Sequence, residues 1–281
     1  MAMSVTCYET ADAFLAVTQA YLMEQECLNG LMLGLCFSLK QGLYQEYPPL
    51  LLAAMDEEGL AATAVCTPPH HLVVYSTRED CQSAMSQLAQ HLAEEKLPGV
   101  RGPSLPARLF AESWQTQTGR PYRSGMRQCV YELRQVEFVP DVPGYLRQAR
   151  AEEFALLVAW TTGFHQDAFG RADEENVRKS AKRHLDSGSF YIWEDGHPVS
   201  VAAKTRETPH GRTVSLVYTP PEFRRQGYAT ACVAVLSQQL LTAGYDFCTL
   251  FTDLANPTSN RIYQKIGYRP IANFDEYTFS A

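Results

Sequence analysis

Residues 217–230 read Val-Tyr-Thr-Pro-Pro-Glu-Phe-Arg-Arg-Gln-Gly-Tyr-Ala-Thr, and their order spells a strand that stops, a turn, and a helix that starts. Residues 213–219 are β-branched and aromatic, as strands are. Pro220 and Pro221 lack N–H groups, so they cannot extend a central sheet and must turn the chain. Gly227 has no Cβ and lets backbone approach a ligand closely. Apolar residues then recur at Ala229, Val233, Leu236 and Leu240, a helical spacing, and Gly244 suits the C-terminal stop. A helix opening here presents first-turn N–H groups without internal partners and the positive end of its dipole, which is an anion site. Arg224 and Arg225 can place guanidinium forks beside phosphate oxygens.

The run Arg224-Arg-Gln-Gly-Tyr-Ala229 fits the R/Q-x-x-G-x-G/A motif of the GNAT acetyltransferases. A second run, Asn256-Pro-Thr-Ser-Asn-Arg-Ile-Tyr263-Gln-Lys-Ile-Gly-Tyr268, resembles that family's N-x-x-A/S-x-x-x-Y-x-K-x-G-F/Y signature. The wording around both is similar to a subgroup of predicted bacterial acetyltransferases. The resemblance implies an α/β fold with a mixed sheet and acetyl-CoA as acyl donor. It implies that the main chain at Arg224, Arg225, Gln226, Gly227, Tyr228, Ala229 and Thr230 holds the diphosphate. The backbone of Val217 and Thr219 would pair with the pantetheine arm where their strand splays from its neighbour. Asn256 would touch the cofactor while capping its helix. Tyr263 would be the catalytic acid for the departing thiolate.

The chain has 281 residues, 46% hydrophobic and 20% charged, enough for a substantial core. Its net charge of −7 argues against a general nucleic-acid binder. The basic run Arg178, Lys179, Lys182 and Arg183 reads as an exposed helix face. Eight scattered cysteines form no C-x-x-C pair, so no metal site is expected and most thiols should behave as buried hydrophobes. No run approaches the ~20 apolar residues of a membrane span, and no signal peptide is evident, so a cytoplasmic protein is expected.

Along the chain, residues 12–39 read as helix, 50–55 and 60–65 as strands about a turn, and 71–75 as a strand. Residues 80–97 and 107–118 read as helices and 128–133 as a strand. Then come a strand at 146–149, helices at 152–164 and 174–185, and strands at 190–193, 199–204 and 213–219. The motif helix, a strand at 247–251, a helix at 256–266 and a strand near 276–279 finish the chain. The two halves share an element order, which points to duplication. The expectation is a tandem protein: residues 1–137 a degenerate GNAT-like domain, residues 144–281 the catalytic one, with the prolines at 140 and 143 in the linker. The first half has no glycine after Tyr75, where Ser76 or Thr77 would cap a helix.

Acyl transfer to an amine requires a neutral nucleophile, a stabilised oxyanion and a proton for the leaving group. Residues 213–219 hold no carboxylate, so the base is open; His165, Asp167, Tyr191 and Glu276 are candidates by type. Tyr218 could line the acceptor pocket or fill the core. The expected activity is an acetyl-CoA-dependent N-acetyltransferase acting on a small-molecule, amino-acid-like amine. A protein or peptide N-acetyltransferase and a non-catalytic acyl-CoA sensor are the alternatives. No nucleic-acid or membrane partner is expected, and a monomer is preferred over a homodimer.

Overall fold

The computed structural model describes residues 3–44 and 46–280. The first half runs β1 (Ser4–Cys7), α1 (Ala11–Met23), α2 (Gly30–Lys40), β2 (Leu50–Asp56), β3 (Gly59–Cys66), β4 (Leu72–Tyr75), α3 (Gln82–His91), β5 (Gly99–Pro103), α4 (Ser104–Thr118) and β6 (Tyr122–Leu133). The second half runs β7 (Tyr145–Gln148), α5 (Phe154–Phe169), α6 (Glu174–Asp186), β8 (Phe190–Glu194), β9 (Pro198–Glu207), β10 (Gly211–Tyr218), α7 (Tyr228–Thr242), β11 (Phe247–Asp253), α8 (Pro257–Ile266) and β12 (Arg269–Phe279). Leaving aside single 3-10 turns, the order of helices and strands is the same in both halves. The duplication expected from sequence is present in the fold.

The compact units are not the contiguous halves 1–137 and 144–281. One unit takes the chain up to Val130, Thr252–Asn256 and the chain from Pro270 onward; the other takes Tyr131–Phe251 and Pro257–Arg269. The last strand of the second repeat therefore belongs to the first unit. There β12 pairs antiparallel with β5, Tyr277 opposite Val100. The physical reason is core completion. Tyr277 and Phe279 join the apolar cluster of the first unit, where Phe279 stacks on Trp114 at 5.1 Å between ring centroids. Aromatic side chains of this size bring a large apolar burial.

In the first unit β4 and β5 run parallel and the other described pairings are antiparallel. The expected helix at 12–39 is two helices, because Asn29 turns its side-chain amide onto the Leu22 carbonyl at 2.9 Å and ends α1. The helix expected at 80–97 shortens to α3, and β5 appears in its wake. Gly99 and Gly102 sit there because a Cβ would strike the Tyr277 and Val74 carbonyls. Ser76 and Thr77 do not cap α3: Ser76 donates to the Ala61 carbonyl at 2.8 Å, and Thr77 Oγ1 lies 3.4 Å from the Tyr21 hydroxyl. Arg78 follows, its guanidinium held by both Asp56 oxygens at 2.5 and 2.9 Å. The turn after β4 is thus filled by this chain's own ion pair.

In the second unit the strands lie in the order β7-β8-β9-β10-β11. β10 and β11 are parallel, and the other described pairs are antiparallel. Leu157 and Trp160 of α5 and Ala181 of α6 pack on Ile192, Val201 and Ala203, and α7 covers the opposite face. The basic run lies on α6, exposed, with Lys179 paired to Glu175 and Lys182 to Asp186. Seven of the eight cysteines are buried, and burial pushes Cys36, Cys66 and Cys232 up to about 12. Among the described residues, no helix is long and apolar enough to cross a membrane.

Candidate active site

The β10–β11 ladder holds for three rungs and stops at Thr213 opposite Thr249. Beyond that rung β10 continues alone on this side. It also bulges: Ser215 opposes Ala203 and Tyr218 opposes Val201, so Leu216 and Val217 face one residue of β9. Leu216 takes φ +51 to make the bulge, a strained position for a branched side chain. The result is a cleft in the sheet with backbone polar groups of residues 214–218 along one wall.

At its top the chain turns through Pro220 and Pro221 into α7. Gly227 stands at the N-cap with φ +89. The first helical bond runs from Ala231 N–H to the Gly227 carbonyl at 3.0 Å. The N–H groups of Tyr228, Ala229 and Thr230 precede it and have no helical acceptor. That cradle suits a diphosphate. Gly227 has a further reason to lack a Cβ, which would lie 2.9 Å from Val142 Cγ1. Val142 belongs to the segment before β7, which Trp193 pins by donating from its indole to the Pro143 carbonyl at 2.9 Å. Tyr228 bonds Asp195 at 2.7 Å and fixes the start of α7.

The two arginines of the turn differ. Arg224 is committed within the protein: Nε donates to the Thr219 carbonyl at 2.9 Å, and Nη2 meets Asp167 at 2.6 Å. Its guanidinium carbon lies 5.7 Å from the Tyr218 ring centroid. Arg224 therefore ties the turn to the C-terminal end of α5. Arg225 is exposed, with φ +64. Gln226 reaches the Glu222 carbonyl at 3.4 Å.

Tyr263 projects from α8 into a buried place, only 9% exposed. Burial pushes its phenol up to about 12. Its ring meets that of Tyr268 at 6.0 Å, and the Tyr268 hydroxyl is bonded to Ser237 of α7 at 2.8 Å. The phenol thus keeps its proton at any working pH and is registered against the helix that begins the cradle. Asn256, just before α8, falls with the residues of the first unit and donates its N–H to the Asp253 carbonyl at 3.0 Å.

The candidate bases are dispersed. Asp167 pairs with Arg224. Glu276 lies in the first unit, 3.2 Å from His71 Nδ1. The Tyr191 ring sits under Lys204. His165 shares an aromatic group with Phe164 and Phe169, and burial lowers its pKa. Tyr218 packs on α5, where a Cβ at Gly163 would come 2.5 Å from its ring.

A polar group that sequence reading missed surrounds the last rung. Thr205 and Ser215 share a hydrogen bond of 2.9 Å, and Thr213 and Thr249 lie beside them. Arg206 extends over the Phe251 ring at 5.4 Å. The threonines read only as good strand formers, and nothing in their spacing reveals that register would align them. Nearby His184 is pushed down to about 4 by burial, then by the charges of Arg183 and Arg206. It stays neutral in the fold while an unfolded histidine charges near pH 6.5. Its contribution to stability is complete above about pH 6.5 and is lost as pH falls towards 4. Thermal melts across that range should show His184→Gln losing less stability on acidification than the parent.

Residues 194–278 match the FR47-like protein family. No curated protein matches the chain. Among solved structures, a GNAT-family acetyltransferase from Colwellia psychrerythraea aligns with TM-score 0.60 at 11% identity, covering 99% of this chain and 100% of its own. A Drosophila protein aligns at TM-score 0.69 and 12% identity, covering 98% of each chain. A tandem GNAT protein from the clavulanic acid biosynthesis pathway aligns at TM-score 0.56 and 8% identity, covering 100% of this chain and 99% of its own. At such identities the likeness is one of fold.

Proposed function

We propose that the chain is a GNAT-type acetyltransferase, a reading supported by its fold and by the match over residues 194–278, and that its second unit transfers an acetyl group from acetyl-CoA to the primary amine of a small molecule. The observation that carries this reading is the broken β10–β11 ladder leading into the open amides of α7. An acyl-CoA bound there supplies an activated thioester. Gly227, Tyr228, Ala229 and Thr230 would hold its diphosphate through main-chain N–H groups, and the backbone of Val217 and Thr219 would align its arm. Arg225 and Gln226 stand on the rim of the cradle, whereas Arg224 serves by bracing the turn. Tyr263 would give its hydroxyl proton to the departing sulfur. Its raised pKa suits that task, since the donor is never lost to ionisation below about pH 10. No carboxylate flanks the cleft on β10, so the attacking amine would lose its proton to water.

A small acceptor fits better than a polypeptide because α5 and α6 cover this face of the sheet. Assaying CoA release across amines, polyamines, amino acids and peptides tests the reading. Turnover confined to small amines is expected. Turnover with peptides alone would contradict the acceptor class, and none with any acceptor would contradict the activity.

A further inference from the structure

Helix α8 ends at Gly267, which takes the left-handed φ of +119. The Gly267 N–H bonds the Gln264 carbonyl at 3.1 Å, and the Tyr268 N–H bonds the Tyr263 carbonyl at 3.0 Å. These two bonds make a Schellman stop, in which the side chains at the positions of Tyr263 and Tyr268 commonly touch. Here their rings meet edge to face, 6.0 Å between centroids and 66° between planes. Burial alone raises the Tyr263 pKa, so among the described residues no hydrogen bond or charge aims the phenol. Its direction is set by what the ring packs on.

A helix end of this kind asks only for an apolar side chain at position 268. The sequence supplies a hydroxyl as well, and the fold uses it. Tyr268 and Ser237 are both fully buried, and their oxygens lie 2.8 Å apart. Ser237 donates its one proton to the Val233 carbonyl at 2.7 Å, so Tyr268 is the donor of the shared bond. Ser237 is held on its other side too, because its carbonyl accepts from Cys248 of β11 at 3.7 Å. Ser237 stands about 14 Å along the axis of α7 from Tyr228, where that helix begins. One helix thus carries the cradle at its start and the anchor of Tyr268 further along.

Resting on the transferase reading, we propose that Tyr268 and Ser237 are positioning residues, whose hydrogen bond holds the Tyr263 ring in place relative to the first turn of α7. The diphosphate and the thioester sulfur belong to one molecule. A proton donor aimed at the sulfur therefore works only if the phenol and the cradle keep their spacing. In this role neither Tyr268 nor Ser237 touches the reacting atoms, and both act through Tyr263.

The test uses the whole chain, acetyl-CoA and the best amine of the panel above. Tyr268→Phe keeps the ring and removes the donor. It should lower kcat about tenfold and leave the CoA dissociation constant within about twofold. Ser237→Ala breaks the same bond from the other side and should give the same loss, and the double variant should lose no more than either alone. The deciding measurement is made in a Tyr263→Phe background. There Tyr268→Phe should change kcat by less than about twofold, because no phenol is left to aim. An undiminished tenfold loss in that background would make Tyr268 a general structural residue and overturn the inference. Unchanged kcat in both single variants would overturn it as well, as would a loss of CoA affinity or of folded protein that matches the loss of kcat. A fall in Tyr263→Phe without one in Tyr268→Phe overturns this inference alone. A parent that turns over no amine overturns the transferase reading and this with it.

Discussion

Replacing Tyr263 by phenylalanine should reduce turnover about a hundredfold while CoA affinity stays within about twofold. The substitution removes one oxygen and leaves the ring that packs beside Tyr268. The fold should tolerate it, because the ring and its contact with Tyr268 are kept. The effect belongs to kcat because the phenol acts on a group that forms only as the thioester breaks. The parent profile carries a second signature. With its pKa pushed up to about 12, Tyr263 imposes no alkaline fall in kcat below about pH 10. A fall centred near pH 8, abolished by the substitution, would mean a far more acidic phenol than this environment allows. Turnover unchanged in Tyr263→Phe would remove the residue from the chemistry.

Gly227→Val should do the broadest damage of any substitution in the cradle. The residue sits at φ +89, where a β-branched side chain is strained. Its Cβ would press on Val142 Cγ1 at 2.9 Å. Destabilisation of about 2–4 kcal/mol is expected from strain and crowding together. The crowding also shifts the first turn of α7, so CoA affinity should fall by at least about tenfold. Arg224→Gln gives a useful contrast. It loses the Asp167 pair and the Thr219 tie but leaves the α7 amides in place, so its loss of CoA affinity should be the smaller. Chemical denaturation and CoA titration of the two variants check the order.

How much of this was legible in the sequence follows from which signals are local. The turn from β10 into α7 was readable because prolines, a glycine and helical spacing each act on their own neighbours. The repeat was readable because element order survives when motifs do not. The strand β5 was not, since its glycines answer to the close approach of β4 and β12, which no local pattern announces. The home of β12 was hidden for the same reason: Tyr277 and Phe279 need an apolar core, and their spacing does not say which one. Arg224 read as a phosphate ligand because guanidinium forks suit phosphate, but Asp167 lies 57 positions earlier and claims it. The Thr213–Thr249 rung depends on register between strands separated by a helix.

The most direct test of the central claim is a calorimetric titration of the intact chain with CoA and with acetyl-CoA. The account predicts one binding event per chain for each ligand, weakened in Gly227→Val and retained in Tyr263→Phe. No heat of association with either ligand from folded protein, or undiminished binding by the Gly227 variant, would contradict it.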